Sequence, residues 1–101
     1  MARNRVELSG RLLELGALRL TPAGVAALEF TLLHESEQRE AGSGRKVQAE
    51  VGAIAFETEA RLIAGRPLGS EVRLAGFLSA RSQRSKKLVL HVTNVEFVEG
   101  A

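Results

Sequence analysis

Cysteine is absent from this chain of 101 residues, and so are aspartate, tyrosine and tryptophan. Without cysteine there is neither a disulfide framework nor a thiolate metal site. Without aspartate, a Ser/His/Asp triad cannot be assembled. No apolar run approaches the roughly 18 residues that a membrane span needs. The N-terminal MARNRVELSG carries no apolar h-region, so no secretory signal is expected and a cytoplasmic location is. His34 and His91 have no partner at a metal-ligand spacing, so no metal is expected. GSGRK, residues 42–46, lacks the spacing of a phosphate loop, and Val47 stands where a hydroxyl is required. Nothing points to catalysis or to a bound cofactor.

The formal net charge is +2, so bulk charge makes no case for a polyanionic partner. Distribution says more. Glutamates are spread along the chain, whereas RSQRSKK, Arg81 to Lys87, holds four cations in seven residues without an acid. A looser basic group is Arg39, Arg45 and Lys46. A charge run by itself is commonly a solvated loop.

Hydrophobic residues make up 45% of the chain, enough for one compact domain over residues 1–101. They fall in short period-two runs between turn signals. The first run, Arg5–Leu15, changes parity near Leu12 and Leu13, which predicts a bulge there, with Gly10 a second bend. Thr21-Pro-Ala-Gly24 is a turn. The second run is Val25–Ser36, and Glu37–Gly44 is expected to be a flexible loop. The third is Arg45–Ile54, with Val47, Ala49, Val51 and Ala53 on one face.

From Phe56 the period becomes helical for one or two turns, ended by Gly65 and Pro67, with Phe56 as the anchor. The fourth run, Ser70–Ala80, turns Val72, Leu74, Gly76 and Leu78 inward. The fifth, Lys87–Val98, turns Leu88, Leu90 and Val92 to one face, and Val95 and Phe97 have the opposite parity. Phe30 and Phe97 are expected in the core. Phe77 is out of step with Leu74 and is expected outside, as a dimer contact, because its sequence neighbours are apolar rather than cationic.

Five bent strands with a short helical element between the third and fourth match an all-β, five-stranded OB-fold (oligonucleotide/oligosaccharide-binding) barrel. Closure removes exposed strand edges. The ligand face of that fold lies over strands two and three, between the loops joining strands one to two and four to five. RSQRSKK is the latter loop, so its cations flank a groove.

The chain also resembles the primosomal replication protein N (PriB) family of small bacterial replication-restart proteins. The likeness is carried by Asn4-Arg5, Leu8-Ser9-Gly10, Thr21-Pro22-Ala23-Gly24-Val25, and Phe30-x-Leu32-x-His34-x-Ser36. It continues through Glu40-Ala41-Gly42, Arg45, Gly76-Phe77-Leu78, and Lys87-Leu88-Val89-Leu90-His91. The resemblance implies a homodimer that binds single-stranded DNA, contacts the primosomal helicase and other primosome proteins, and helps reload replication at stalled forks. The matching basic positions are Arg19, Arg45 and Lys87, with Arg81, Arg84 and Lys86 in the same loop; Lys46 and Gln48 lie on the adjoining strand.

The chain departs from better-known members where it carries Ser43 and Gln48 in place of aromatics and Glu35 in place of a base. The loop between strands four and five is also shorter. Stacking on an aromatic is worth about 1–3 kcal/mol per base, so losing two platforms lowers affinity roughly 10-fold to several thousand-fold. Phosphate contacts then dominate, and four of them give a log–log salt slope of about −3.

Two other readings follow from the same features. One is a general single-strand coating protein, disfavoured because such proteins carry a long acidic tail and this chain is expected to finish at EFVEGA. The other is an OB-fold protein-interaction subunit with little or no nucleic-acid binding, which the missing aromatics favour and the basic loop opposes.

Overall fold

The structure, a computed structural model, describes residues 1–98; the final residues of the EFVEGA end lie outside the described residues. Its strands are β1 (Val6–Leu15), β2 (Arg19–Leu20), β3 (Ala26–Glu40), β4 (Ser43–Phe56), β5 (Glu71–Ala80) and β6 (Leu88–Phe97), with helix α1 (Glu57–Ala64) between β4 and β5. The sheet runs β1-β5-β6-β4-β3-β2, and a β1–β3 pairing closes it. β4 and β6 are parallel, and the other pairs are antiparallel. This is the five-stranded OB barrel, its five strands being β1, β3, β4, β5 and β6. β2 is a two-residue strip on the edge of β3 that the sequence did not reveal.

Closure depends on local breaks in the ladders. β1 pairs with β5 through Arg11, then with β3 from Arg11 to Leu15, and its register slips between Leu12 and Glu14. Leu13 is the extra residue, so the expected bulge is present. It lets one strand serve both sides of the barrel. β6 slips likewise: Gly76 faces Val92 and Ala75 faces Asn94, which leaves Thr93 unpaired and turns Val95 and Phe97 back toward the core.

Gly76 is fixed by its neighbours, since a Cβ there would sit 1.8 Å from the His91 carbonyl oxygen. At Gly10 a Cβ would meet the Leu33 oxygen at 2.4 Å, where β3 crosses β1.

The inward rows are those read from alternation: Leu28, Phe30 and Leu32 of β3, Val72 and Leu74 of β5, Leu90 and Val92 of β6. Burying a Leu, Val or Phe side chain stabilises by about 1.5–3 kcal/mol. α1 adds Ala60 and Ile63, both fully buried, to one end of the barrel. Its sequence suits a short helix: Glu57 and Glu59 in the first turn, Arg61 in the last, and Gly65 as the C-cap. Among the described residues no helix is long and apolar enough to cross a membrane.

Two expectations need correction. Residues 37–44 form no flexible loop. β3 and β4 continue as a ladder to Glu40↔Ser43 and turn on Ala41 and Gly42, whose φ values are 52° and 81°. Two successive positive φ angles are the signature of a tight hairpin turn. Phe56 does not anchor the helix in the core; it lies outside, 36% exposed. Leu88 has the parity of Leu90 and Val92, as expected, but it lies at the end of the β5–β6 ladder and is 60% exposed, while Val89, of opposite parity, lines the groove.

The long ladder makes an arm. β1 accompanies β3 only to Leu33, and β6 accompanies β4 only from Ala53. From His34 outward the hairpin is two strands alone, about 23 Å long for seven residues at the usual rise. Its root is tied to the barrel by a relay of side chains. Gln38 Nε2 donates to Ser36 Oγ at 3.0 Å, and His34 Nδ1 donates to the Ser9 carbonyl at 2.7 Å. The Ser36 hydroxyl closes on His34 Nε2 at 2.8 Å.

Candidate nucleic-acid interface

Alternation in β3 and β4 that turns Phe30, Leu32 and Ala53 inward must turn Glu29, Thr31, Gly52 and Ile54 outward. These outward residues floor two adjoining clefts of about 340 and 330 Å³ that share Glu29, Arg81 and Val89. Lys87 and Leu88 wall the first, with Glu14 opposite. Arg19, Phe56 and His91 wall the second. The groove therefore lies over the second and third barrel strands, and β2 and the β5–β6 loop form its rims.

The loop itself is compact. Arg81 N–H donates to the Lys87 carbonyl at 2.8 Å, closing the base where the β5–β6 ladder ends at Ala80↔Leu88. Ser82 Oγ accepts from Ser85 N–H at 3.0 Å, which rounds the tip. Serine hydroxyls that bond to nearby backbone hold such turns without a hydrophobic core. Arg84, Lys86 and Lys87 are all exposed on it.

Electrostatically the groove is less positive than the sequence implies. Arg81 and Arg19, far apart in the chain, converge on one carboxylate: Arg81 lies 3.1 Å and Arg19 3.7 Å from Glu29. On the arm, Arg45 is bonded to Glu40. Among the described residues, Lys46, Arg84, Lys86 and Lys87 have no ion-pair partner within 4.0 Å.

Arg45 and Lys46 do not act on a common face, because consecutive strand residues point to opposite sides. Lys46 and Gln48 lie across from Glu37 and Glu35 on the arm. The outer face of β3–β4 thus carries Glu29, Glu35, Glu37 and Glu50 between basic ends. Together, Arg19, Arg81 and Lys87 reach the groove; Lys46 and Gln48 sit farther out on the arm; Arg84 and Lys86 extend from the loop; Arg45 faces away from Lys46.

Sequence reasoning missed two features. The Glu29 clamp has no sequence signal, since only barrel closure brings Arg19 to Arg81. The second is a row of rings. Phe77 and His91 are direct cross-strand partners, with centroids 5.0 Å apart and planes 13° from parallel. Phe56 lies on the other side of His91, 6.3 Å away and tilted by 31°. The parity of all three was available from the strand pattern. Phe77 is 39% exposed, as an outward residue should be. Its spatial neighbour is His91, which shares a cleft with Arg19 and Arg81.

Comparison with known proteins places this geometry. Residues 4–94 match the model described as another single-strand binding protein family. The replication restart protein PriB of Bordetella pertussis is 45% identical over 98 residues, covering 97% of this chain and 92% of that protein. The solved structure of PriB from Ralstonia solanacearum superposes with a TM-score of 0.86 at 28% identity, over 97% of this chain and all of that one. The single-stranded DNA binding protein from Thermus aquaticus matches with a TM-score of 0.76 at 22% identity, over 97% of this chain and 51% of that one. That last likeness is one of fold.

Proposed function

The chain belongs to this single-strand binding protein family, among the PriB replication restart proteins, and from that premise we propose that it is a non-catalytic single-stranded-DNA-binding component of the replication-restart primosome. It binds weakly and without marked sequence preference. The observation that carries this reading is the position of four cations that have no ion-pair partner among the described residues: Lys87 on the wall of the groove over β3 and β4, Arg84 and Lys86 on the adjoining loop, and Lys46 out on the arm. They meet phosphates, while the glutamates between them keep the centre of the groove from holding a polyanion tightly. Four phosphate contacts give a salt slope of about −3 for a single strand.

The protein acts as a cytoplasmic bacterial homodimer, an adaptor that also contacts the primosomal helicase and other primosome proteins. The edge of β1 supports a subunit seam: residues 6–10 pair with β5 alone, and on the other side only the Ser9 carbonyl is engaged, by His34. An unpaired edge is a template for strand addition. The bare β3–β4 arm supports a protein contact, because a two-stranded ribbon in water gains from a third element laid against it.

A second reading, a protein-interaction subunit without nucleic-acid binding, is favoured by one observation, the capture of Arg19 and Arg81 by Glu29. Fluorescence anisotropy of a labelled oligo-dT at about 50 and 200 mM salt separates the two. A Lys86→Ala/Lys87→Ala variant is expected to bind more weakly and to lose about 1.4 from the slope. Equal binding by variant and wild type would overturn the role of these two lysines, and no binding by the wild type at either salt concentration would establish the protein-interaction reading instead.

A further inference from the structure

The aromatic row Phe56–His91–Phe77 crosses β4, β6 and β5 on the outside of the barrel. Core packing does not account for it. Phe56 and Phe77 are 36% and 39% exposed, and both belong to the outward set of their strands. Residues 34–49 of the arm contain no phenylalanine, tyrosine or tryptophan.

We propose that Phe77 and His91, extended by Phe56, form a shelf on which nucleobases of a single strand stack, outside the face of the arm. This inference rests on the single-stranded-DNA reading and specifies how the bases are held once phosphates are engaged.

The occupant follows from shape and charge together. The Phe77 and His91 rings stack on each other, with centroids 5.0 Å apart and planes 13° from parallel, so a base that lies against the outer face of Phe77 extends an existing stack, and every nucleobase has a π face of its own. The same His91 lines a cleft with Arg19 and Arg81, guanidinium groups suited to phosphate oxygens. A polyanion with flat apolar bases satisfies both halves of this surface. A second copy of this chain satisfies it less well, since it would bring its own arginines against Arg19 and Arg81. The open β1 edge already offers a second copy a different seam.

The strand's path follows from these neighbours. Phosphates run from Lys87 past Arg81 toward Arg19, and bases turn onto His91 and Phe77. Glu29 sits below this path and repels a phosphate placed on the floor. That favours a strand whose backbone stays on the rims while its bases supply the remaining contact.

The chain has no tryptophan, so a Phe77→Trp variant carries a single indole reporter at the shelf. Three proteins are compared: wild type, Phe77→Leu, which keeps an apolar side chain but loses the ring, and Phe77→Trp. Each is titrated with oligo-dT and with an abasic oligomer of equal length and charge. The wild type is expected to prefer oligo-dT, and Phe77→Leu to lose about 5-fold or more of its affinity for oligo-dT alone. Phe77→Trp is expected to retain that preference, with its indole fluorescence quenched by oligo-dT and not by the abasic strand.

Equal affinity of the wild type for both oligomers would overturn the shelf and leave the DNA reading standing. Binding to neither would overturn both. Sedimentation of the same proteins without DNA closes the remaining route: a dimer in wild type that dissociates in Phe77→Leu would assign the ring to a subunit interface and overturn the shelf.

Discussion

Glu29→Gln should strengthen DNA binding, although it removes two ion pairs. Among the described residues, Glu29 is the one carboxylate that touches both Arg19 and Arg81, at 3.7 and 3.1 Å, and it lies on the groove floor. A phosphate passing about 6 Å above it feels a repulsion of about 0.7 kcal/mol at the dielectric of water and more in a partly enclosed groove. The Glu29 side chain is 43% exposed, so salt screening keeps the value near that lower figure. Relief of this repulsion alone gives roughly 3-fold tighter binding. Release of the two arginines adds up to two phosphate contacts, each steepening the salt slope by about 0.7. The combined expectation is binding about 3- to 10-fold tighter near 50 mM salt, with a slope moving from about −3 toward −4.

The assay is anisotropy of labelled oligo-dT over a salt series, run beside wild type. Folding stability is the control. Two exposed pairs contribute about 0–1 kcal/mol each, so the urea midpoint should move little. Unchanged or weaker DNA binding by a folded Glu29→Gln protein would refute the reasoning, because it would mean that the strand does not pass over Glu29.

The barrel and the arm make their own predictions. Gly76→Ala places a methyl group where the His91 carbonyl oxygen already stands, 1.8 Å away. The β5–β6 ladder must separate, and a loss of at least about 3 kcal/mol is expected in urea unfolding; a loss below about 1 kcal/mol would show that the ladder yields at Thr93. Ala41→Gly acts in the other direction. Ala41 sits at φ 52°, a left-handed conformation that costs a residue with a Cβ about 1–2 kcal/mol. Part of that relief is cancelled by the greater freedom of glycine in the unfolded chain, so a gain of about 0.5 kcal/mol is expected in the same measurement.

Much of the barrel was legible because strand alternation is a local property. The inward rows at Leu28–Phe30–Leu32 and Val72–Leu74 follow from period two. The parity breaks at Leu13 and near Val95 marked real slips of register. The helical stretch was legible from its period and from Gly65 and Pro67. Residues 37–44 misled because Glu, Gln, Ser and Gly are loop formers by composition. A ribbon solvated on both sides has no apolar row to betray it, and here only the pairing of β3 with β4 makes these residues strand. Phe56 misled for a related reason: its apolar character fits either side of the strand-to-helix junction.

What the chain determines by itself, then, is its strand pattern, the cationic loop of residues 81–87, and the outward parity of Phe77 and His91. Tertiary structure alone decided how these features meet. Barrel closure brought Arg19 and Arg81 to one carboxylate, set His91 between two phenylalanines, and left the hairpin extending past its neighbours. The physical reason is distance along the chain. Alternation acts over two residues, whereas charge pairing and ring stacking act between strands whose register is fixed only when bulges let the sheet curve back onto β1.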